Sequence, residues 1–303
     1  MIDLSSLRIG YVPYSPSLSA VCDRRRFPYY AKSRGLSFEV FRPGGTYDLV
    51  VLSTQGDLSY WARGSKNCPL ILDMPDGYLS NPLDGLVDKA KALYKFATGS
   101  WRYFESSFHD VLSRVAEKVD AVVCANPEQA ADVLPYNSNA FHVLDFHGSD
   151  FTRKKSSYVA QEPFRLIWEG VGDSLQGFRS AAKGIAEAAS GRSLELHILT
   201  DLRFRPINRP FKVCTARLVE ELLPDVRTYL YQWNLAFFGE IVTNCDLAVI
   251  PMLPNNPMTR VKPENRLLLF WKMGLPVLTS DTPAFDRVMK SVGLYTCGSQ
   301  EAW

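Results

Sequence analysis

The sequence lacks a charge excess of either sign. Its 34 Lys and Arg residues stand against 32 Asp and Glu over 303 residues, so no overall field exists that would gather nucleic acid. Any basic site must be local. Long apolar runs are also missing: stretches such as Leu267 to Trp271 are far too short to cross a bilayer, and the N-terminus has no charged region followed by an extended apolar one. A cytoplasmic protein is expected, with a weak peripheral contact at the inner face of the membrane as the most its surface would make. There is no Cys-x-x-Cys pair. The six cysteines, at 22, 68, 124, 214, 245 and 297, do not cluster with the four histidines, which signals neither a zinc site nor a disulfide framework. Cys124 and Cys245 sit in or beside apolar strand-like runs and read as buried core thiols. No short repeat or low-complexity tract interrupts the chain.

What is present is a globular composition, 46% hydrophobic and 22% charged, in a chain long enough for two domains that each bury a core. The first half alternates short apolar runs with longer amphipathic ones, the pattern of a parallel sheet covered by helices. Strands are expected at Leu7 to Val12, Ser37 to Phe41, Asp48 to Leu52, Leu70 to Asp73, Asp120 to Ala125 and Phe141 to Leu144. Helices are expected near Phe27 to Ser33 and across Leu83 to Lys118, where Gly99 separates two of them. Asn126-Pro127-Glu128 reads as a capped helix start after a strand. The pattern stops from Phe146 to Pro163, in a segment rich in Ser, Lys and Arg. The expected division is therefore residues 1–150, a linker over 151–163, and residues 164–303. A second series follows: Phe164 to Trp168, Leu194 to Leu199, Arg227 to Tyr231, Leu247 to Ile250, Pro276 to Thr279, and a final candidate at Leu294 to Thr296. Gly170-Val-Gly172 leads from the first of these to a helix around Gln176 to Ala189. That junction suits phosphate, and it suits equally a tight turn that needs glycine.

Lys262-Pro-Glu-Asn-Arg266, running into LLLFWKMG and Leu275-Pro-Val-Leu-Thr-Ser-Asp281, joins an anion site to a helix start. Pro263 fits the first helical position and Gly274 the far end. Lys262 and Arg266 would then lie on one face, where free N–H groups and the helix dipole favour a negative ligand. The preceding Asp246-Leu-Ala-Val-Ile-Pro251 reads as a buried parallel strand, and ligands of open α/β sheets bind beyond the carboxyl ends of such strands. The alternative is a solvated basic turn, which the dipole disfavours.

Two such α/β halves, Asp246-Leu-Ala-Val-Ile-Pro-Met252, Lys262-x-x-Asn-Arg266, Gly274-Leu-Pro-Val277 with Thr279-Ser-Asp281, and Asp120-Ala-Val-Val-Cys-Ala-Asn126 together resemble a GT-B glycosyltransferase. The resemblance covers most of the chain and is strongest to the family 4 and family 1-like enzymes of bacterial surface polysaccharide synthesis. It implies two Rossmann-like α/β domains facing across a crevice. It also implies retaining transfer of a sugar from a nucleoside diphosphate sugar to a glycan or lipid-linked acceptor, with no cofactor and no metal. Three departures stand out. The paired glutamates of that group are replaced by Val261 and Leu269, leaving Glu264 as the nearby acid. Its basic pair is replaced by Trp168-Glu-Gly-Val-Gly-Asp173. The helix that such enzymes send back across the first domain is not reached at Trp303, so a truncated or minimal chain is expected.

On this resemblance Lys262 and Arg266 hold the diphosphate, with Gly170 and Gly172 near it, because cations and N–H groups aimed at a departing diphosphate lower the barrier. Asn265 and Glu264 bind ribose or sugar hydroxyls, or else cap the helix and form a surface ion pair. The first half supplies the acceptor side. Tyr14, Ser15 and Ser17 follow its first strand, and Asp73 and Asp76 follow its fourth; either carboxylate suits a general base or a hydroxyl anchor, although Asp76-Gly77 is also an ordinary turn. His147, beside the expected hinge, is placed to touch the transferring sugar or is incidental. Arg24-Arg25-Arg26, and separately Lys89, Lys91 and Lys95 beside Tyr94 and Phe96, suit a lipid diphosphate or an anionic surface, or simply solvent. A non-catalytic carbohydrate-binding or scaffold subunit of the same fold, and an epimerase, are the competing readings.

Overall fold

The short apolar runs become parallel strands in both halves. The computed structural model describes residues 4–80, 85–145, 147, 151–160, 162–206, 211–253, 256–299 and 302–303. The chain divides into two units, Met1–Phe146 with Val261–Pro263, and His147–Arg260 with Glu264–Trp303.

In the first unit, β1 (Ile9–Val12), β2 (Phe38–Val40), β3 (Leu49–Ser53), β4 (Leu70–Met74), β5 (Ala121–Cys124) and β6 (Ala140–His142) form one sheet in the order β2-β1-β3-β4-β5-β6. Every pairing is parallel, with Ile9 opposite Leu49, Val50 opposite Leu70 and Ile71 opposite Ala121. The helices between them are α1 (Val21–Arg25), α2 (Phe27–Ser33), α3 (Leu58–Arg63), α4 (Gly85–Ala97), α5 (Phe108–Lys118) and α6 (Pro127–Val133). Side-chain caps start three of these, with Asp57 accepting from the Tyr60 amide, Ser107 from Asp110 and Asn126 from Gln129. Gly99, at φ 71°, lies between α4 and α5 as expected. Leu52, Leu72 and Met74 are fully buried with Leu112, Val115, Trp101 and Phe108, and the last two rings stack at 5.9 Å. Each such side chain contributes about 1.5–3 kcal/mol by leaving water.

The second unit repeats the plan. β7 (Phe164–Glu169), β8 (Leu194–Thr200), β11 (Arg227–Gln232), β12 (Leu247–Ile250) and β13 (Val277–Thr279) lie in the order β11-β8-β7-β12-β13, all parallel. A small antiparallel pair, β9 (Arg203–Phe204) and β10 (Val213–Cys214), stands apart. Along β7 the side chains alternate. Leu166 and Trp168 pack with Phe178, Leu196 and Ile198, whereas Ile167 packs with Phe238, Phe270 and Phe285 on the other face. The helices are α7 (Ala182–Gly191), α8 (Thr215–Leu222), α9 (Leu235–Thr243), α10 (Pro257–Arg260), α11 (Asn265–Lys272) and α12 (Pro283–Ser291).

Three expectations are corrected here. The helix expected from Gln176 to Ala189 begins instead as a 3₁₀ segment, Gly172–Ser180, and becomes α-helical only at Ala182. Gly177 in that segment runs so close to the sheet that a Cβ there would meet the Pro251 carbonyl at 2.2 Å. Leu294 to Thr296 forms no strand; only Cys297 bridges to Ser280. The helix expected from Pro263 begins at Asn265, with Glu264 as its N-cap residue. Its far end is as expected, with Gly274 at φ 80° following the last turn.

Of the expected linker, Phe146, residues 148–150 and Gln161 lie outside the described residues. Residues 151–160 carry no helix or strand but are tied to the second unit. Phe151 is buried against Phe238 at 4.9 Å, Lys155 Nζ donates to the Cys245 carbonyl at 2.7 Å, and the Tyr158 hydroxyl donates to the Gly274 carbonyl at 2.8 Å.

Candidate functional site

In an open parallel sheet the strand order reverses at one point, and the chain ends leaving that point in opposite directions open a space for ligands. In the second unit this point lies between β7 and β12, beyond Glu169 and Ile250. Arg266, in the first turn of α11, occupies it. Its Nη1 donates to the Glu169 carbonyl at 3.0 Å, Nη2 lies 3.2 Å from the Met252 sulfur, and the guanidinium lies 5.9 Å from the Trp168 ring centroid. Both acceptors are neutral. Burial lowers the pKa of Arg266, and only the charge of Glu169 works in the opposite direction. A cation held this way, at a helix start and with donors in a planar fork, suits an oxyanion.

The neighbours expected to share this role are placed differently. Lys262 does not lie on one helical face with Arg266, because it precedes Pro263, and a residue before proline is pushed out of the helical region. It belongs to the first unit, where its ammonium lies 2.9 Å from Asp76 Oδ2. Val261 is held in the same unit by its carbonyl, which accepts from Asn126 Nδ2 at 3.2 Å, and by Gly77, where a Cβ would meet Val261 Cγ2 at 2.1 Å. Lys262 and Asp76, read from sequence as donor and acceptor contacts, are thus brought together as an ion pair. Glu264 is 1% exposed, makes no side-chain cap and accepts from Arg287 Nη2 at 3.0 Å. Asn265 is the first residue of α11 and half-buried.

Gly170 sits under Arg266, since a Cβ there would lie 3.1 Å from Nη1 and 3.0 Å from the Trp168 ring. Gly172 has another reason to be glycine: a Cβ would come within 2.2 Å of the Phe204 ring. The Gly-x-Gly is therefore a close-packing device at its second position. Among the described residues no three His, Cys, Asp or Glu side chains gather as a metal site would require.

In the first unit, the loop after β1 closes on Asp23. That buried carboxylate accepts from the Tyr11 hydroxyl (2.8 Å), the Tyr14 amide (2.9 Å), and the Ser15 amide and hydroxyl (both 2.9 Å). Ser15 Oγ in turn accepts from the Ser19 and Ala20 amides, so it is engaged within the loop, while Ser17 is exposed and bonds Ser19. The Tyr14 hydroxyl donates to the Asp73 carbonyl at 2.7 Å, and burial raises its pKa well above the ordinary phenol value. Asp73 is 3% exposed and lies against Arg26. Arg26 also meets Asp145 at 2.7 Å, so the Arg24-Arg25-Arg26 run is not a uniform surface patch: its third member is an internal ion-pair hub, and Arg24 is half-buried. His147, in the second unit, is buried with its ring 6.1 Å from that of Phe151, and its carbonyl accepts from Lys272. Cys124 and Cys245 are buried core thiols, and burial pushes each up to about 12.

No protein-family model and no curated protein matches the sequence. Solved structures do match in fold. Sucrose-phosphate synthase from Thermosynechococcus elongatus aligns over 91% of this chain and 64% of its own, with a TM-score of 0.52 at 14% identity. The chain has the GT-B fold. TarM of S. aureus, solved as a mutant with fondaparinux, alpha-GlcNAc-glycerol and UDP, aligns over 84% of this chain and 46% of its own, with a TM-score of 0.49 at 11% identity. The pneumococcal O-GlcNAc transferase GtfA, solved with UDP and GlcNAc, aligns over 90% and 48%, with a TM-score of 0.49 at 12% identity. This chain spans 46% to 64% of the lengths of these three proteins.

Within this GT-B chain, Asp23 and Asp145 are polar groups that sequence reading missed, and Arg26, read as part of a surface run, is buried between Asp73 and Asp145. Their signal was present but ambiguous, because Cys-Asp-Arg-Arg-Arg looks like a solvated face until one knows that β4 and β5 end beside it. Met252 and Trp168, which hold the Arg266 guanidinium, carry no sequence signal for that role.

Proposed function

We propose that the chain is a glycosyltransferase that moves a sugar from a nucleoside diphosphate sugar to a glycan or lipid-linked acceptor in surface polysaccharide synthesis. The observation that carries this reading is Arg266 at the reversal point of the second sheet, fixed by neutral acceptors beneath the first turn of α11. In the reaction the anomeric C–O bond to the diphosphate breaks, the acceptor hydroxyl oxygen forms the new C–O bond, and the hydroxyl proton is taken up by the departing diphosphate. Negative charge grows on the diphosphate, which is where a preorganised guanidinium and helix N–H groups act. That charge is assigned to Arg266 and the N–H groups of α11, with no metal required, so chelation with EDTA should leave transfer unchanged and its abolition would overturn this point. The retaining course implied by the resemblance is read from the anomeric configuration of the product.

The decisive measurement is calorimetry with UDP, GDP, dTDP and ADP, followed by release of the bound nucleotide in the presence of candidate acceptors. Arg266→Ala should cost about 1.5–3 kcal/mol of nucleotide affinity, the range for charge-assisted hydrogen bonds. Undiminished affinity in a folded variant would end the assignment. A second reading is favoured by one observation: Asp73 and Glu264, the carboxylates best suited by sequence to catalysis, are both almost fully buried in ion pairs. Under it the chain is a non-catalytic carbohydrate-binding or scaffold subunit of a polysaccharide-assembly complex. Donor binding without turnover over a broad acceptor set would establish that reading.

A further inference from the structure

The second unit contains a cavity of 760 Å³ that shares no residue with the Arg266 site. Its walls are the β9–β10 pair, the 3₁₀ segment after Gly172 and the start of α8. Two of these walls are tied down by packing and hydrogen bonds. The Phe204 ring packs where a Cβ of Gly172 would be, and Thr215 fastens α8 to the preceding chain through its amide to the Leu202 carbonyl (3.1 Å) and its hydroxyl to the Asp201 carbonyl (2.5 Å).

The cavity is polar and unevenly charged. Arg179 and Glu221 on its rim neutralise each other at 3.0 Å. Three further cations line it, Arg203, Lys212 and Arg217, and none forms an ion pair among the described residues. The remaining lining acid, Asp173, has its pKa raised by burial, which weakens it as a counter-charge. Register explains why the cations converge: Arg203 lies opposite Cys214, so Lys212, just before β10, and Arg217, in the first turn of α8, flank the same corner. All three cations are exposed, so solvent screens much of their mutual repulsion, but Arg217 also sits at the wrong end of the α8 dipole. These costs are relieved by an anion in the cavity.

We propose that this cavity binds a multiply charged oxyanion ester, a diphosphate or a phosphorylated sugar, through Arg203, Lys212 and Arg217. The site is independent of Arg266 and of the transfer reaction assigned there. A cavity this large admits a phosphate group together with one or two sugar rings or a nucleoside, since small-molecule sites run to about 300–1,000 Å³.

The test is calorimetric titration of the full chain with inorganic pyrophosphate, then with glucose 6-phosphate and with UDP. Arg203→Glu/Arg217→Glu should weaken pyrophosphate binding at this site on the order of tenfold or more, while Arg266→Ala leaves it in place. Better binding of glucose 6-phosphate than UDP at the site removed by the double variant identifies a sugar phosphate as the occupant, and the reverse order identifies a nucleotide. Lys212→Glu, at an exposed position, gives the same readout if the double variant does not fold. The proposal is overturned if folded charge-reversal variants bind all three probes as the wild type does. It is also overturned if Arg266→Ala alone abolishes every binding event. Failure of the Arg266 variant to weaken UDP binding would count against the proposed donor site and leave this cavity unaffected.

Discussion

The guanidinium of Arg26 lies 2.6 Å from Asp73 Oδ1 and 2.7 Å from Asp145 Oδ1, with every one of these side chains less than a tenth exposed. One cation is therefore shared by two buried carboxylates at the carboxyl ends of β4 and beyond β6. Burial works against the charge on Arg26, but Asp73 and Asp145 more than offset it, and its pKa is raised. For Asp73 burial is the stronger influence and raises its pKa despite Arg26. Arg26→Ala should destabilise the protein by about 3–5 kcal/mol, because it leaves two carboxylates buried without their counter-ion. Arg26→Lys should recover only part of this, since an ammonium cannot reproduce a fork that meets two partners. Urea unfolding checks both, and a loss below about 1 kcal/mol for the alanine variant would contradict the buried-hub description.

This hub also decides what a change at Asp73 can mean. Asp73→Asn keeps the side-chain shape but leaves Arg26 with Asp145 alone, so a stability loss of about 1–3 kcal/mol is expected, with nucleotide affinity of the second unit preserved. Reduced transfer at full stability would instead show that Asp73 takes part in acceptor chemistry. Measuring unfolding and donor binding on the same preparation separates the two.

The strands were legible because parallel strands buried on both faces read as short apolar runs, and residues such as Leu247 to Ile250 admit little else. Asn126 and Gly274 were legible because capping chemistry is local. The start of α11 was not, since Pro263 is acceptable both as a first helical residue and as the last residue before a helix. What separates the two outcomes is Lys262 meeting Asp76, a contact 186 positions away in sequence. The same holds for Arg26: three consecutive arginines have one appearance in sequence, whether solvated or, as for the third of them here, buried. Arg266 was singled out from sequence because a cation in a first turn is locally anomalous, whereas the sulfur and the carbonyl that hold it come from two separate strands' ends.

Glu264 accepts from Arg287 while being 1% exposed, and Arg287 is 41% exposed. Arg287→Ala should therefore destabilise the second unit by about 1–3 kcal/mol, by leaving a buried carboxylate with one fewer charged donor. Nucleotide affinity should stay nearly unchanged. A large loss of affinity at wild-type stability would restore Glu264 to a ligand-binding role.

Gly177 offers a test of the second core. Its Cβ would meet backbone, the Pro251 carbonyl at 2.2 Å, and not a side chain able to swing away. Gly177→Ala should cost about 1–3 kcal/mol through overpacking, even though alanine is the better helix former. Gly191→Ala is the matched control, because nothing lies within 4 Å of a Cβ there. A neutral Gly177→Ala would mean that the 3₁₀ segment is free to move off the strand end.

Lys91 gives the protein a signature in its pH dependence. Its ammonium sits 3.3 Å from the Phe108 ring centroid, and burial first, then repulsion from Lys95, lowers its pKa to about 8, with Asp88 opposing. Tyr78, the other ring it faces, is raised by burial and does not titrate in that range. The folded-state pKa thus lies below the unfolded value of about 10.4. A depressed pKa means that the folded state releases the proton first. The contribution to stability is therefore present in full above the unfolded pKa and is lost as pH falls through about 8. Unfolding free energy should accordingly rise between pH 8 and the unfolded lysine pKa in the wild type relative to Lys91→Met, a comparison that subtracts the other groups titrating in that window. Parallel pH profiles for the two proteins would show that the phenyl face and solvent hold Lys91 charged throughout.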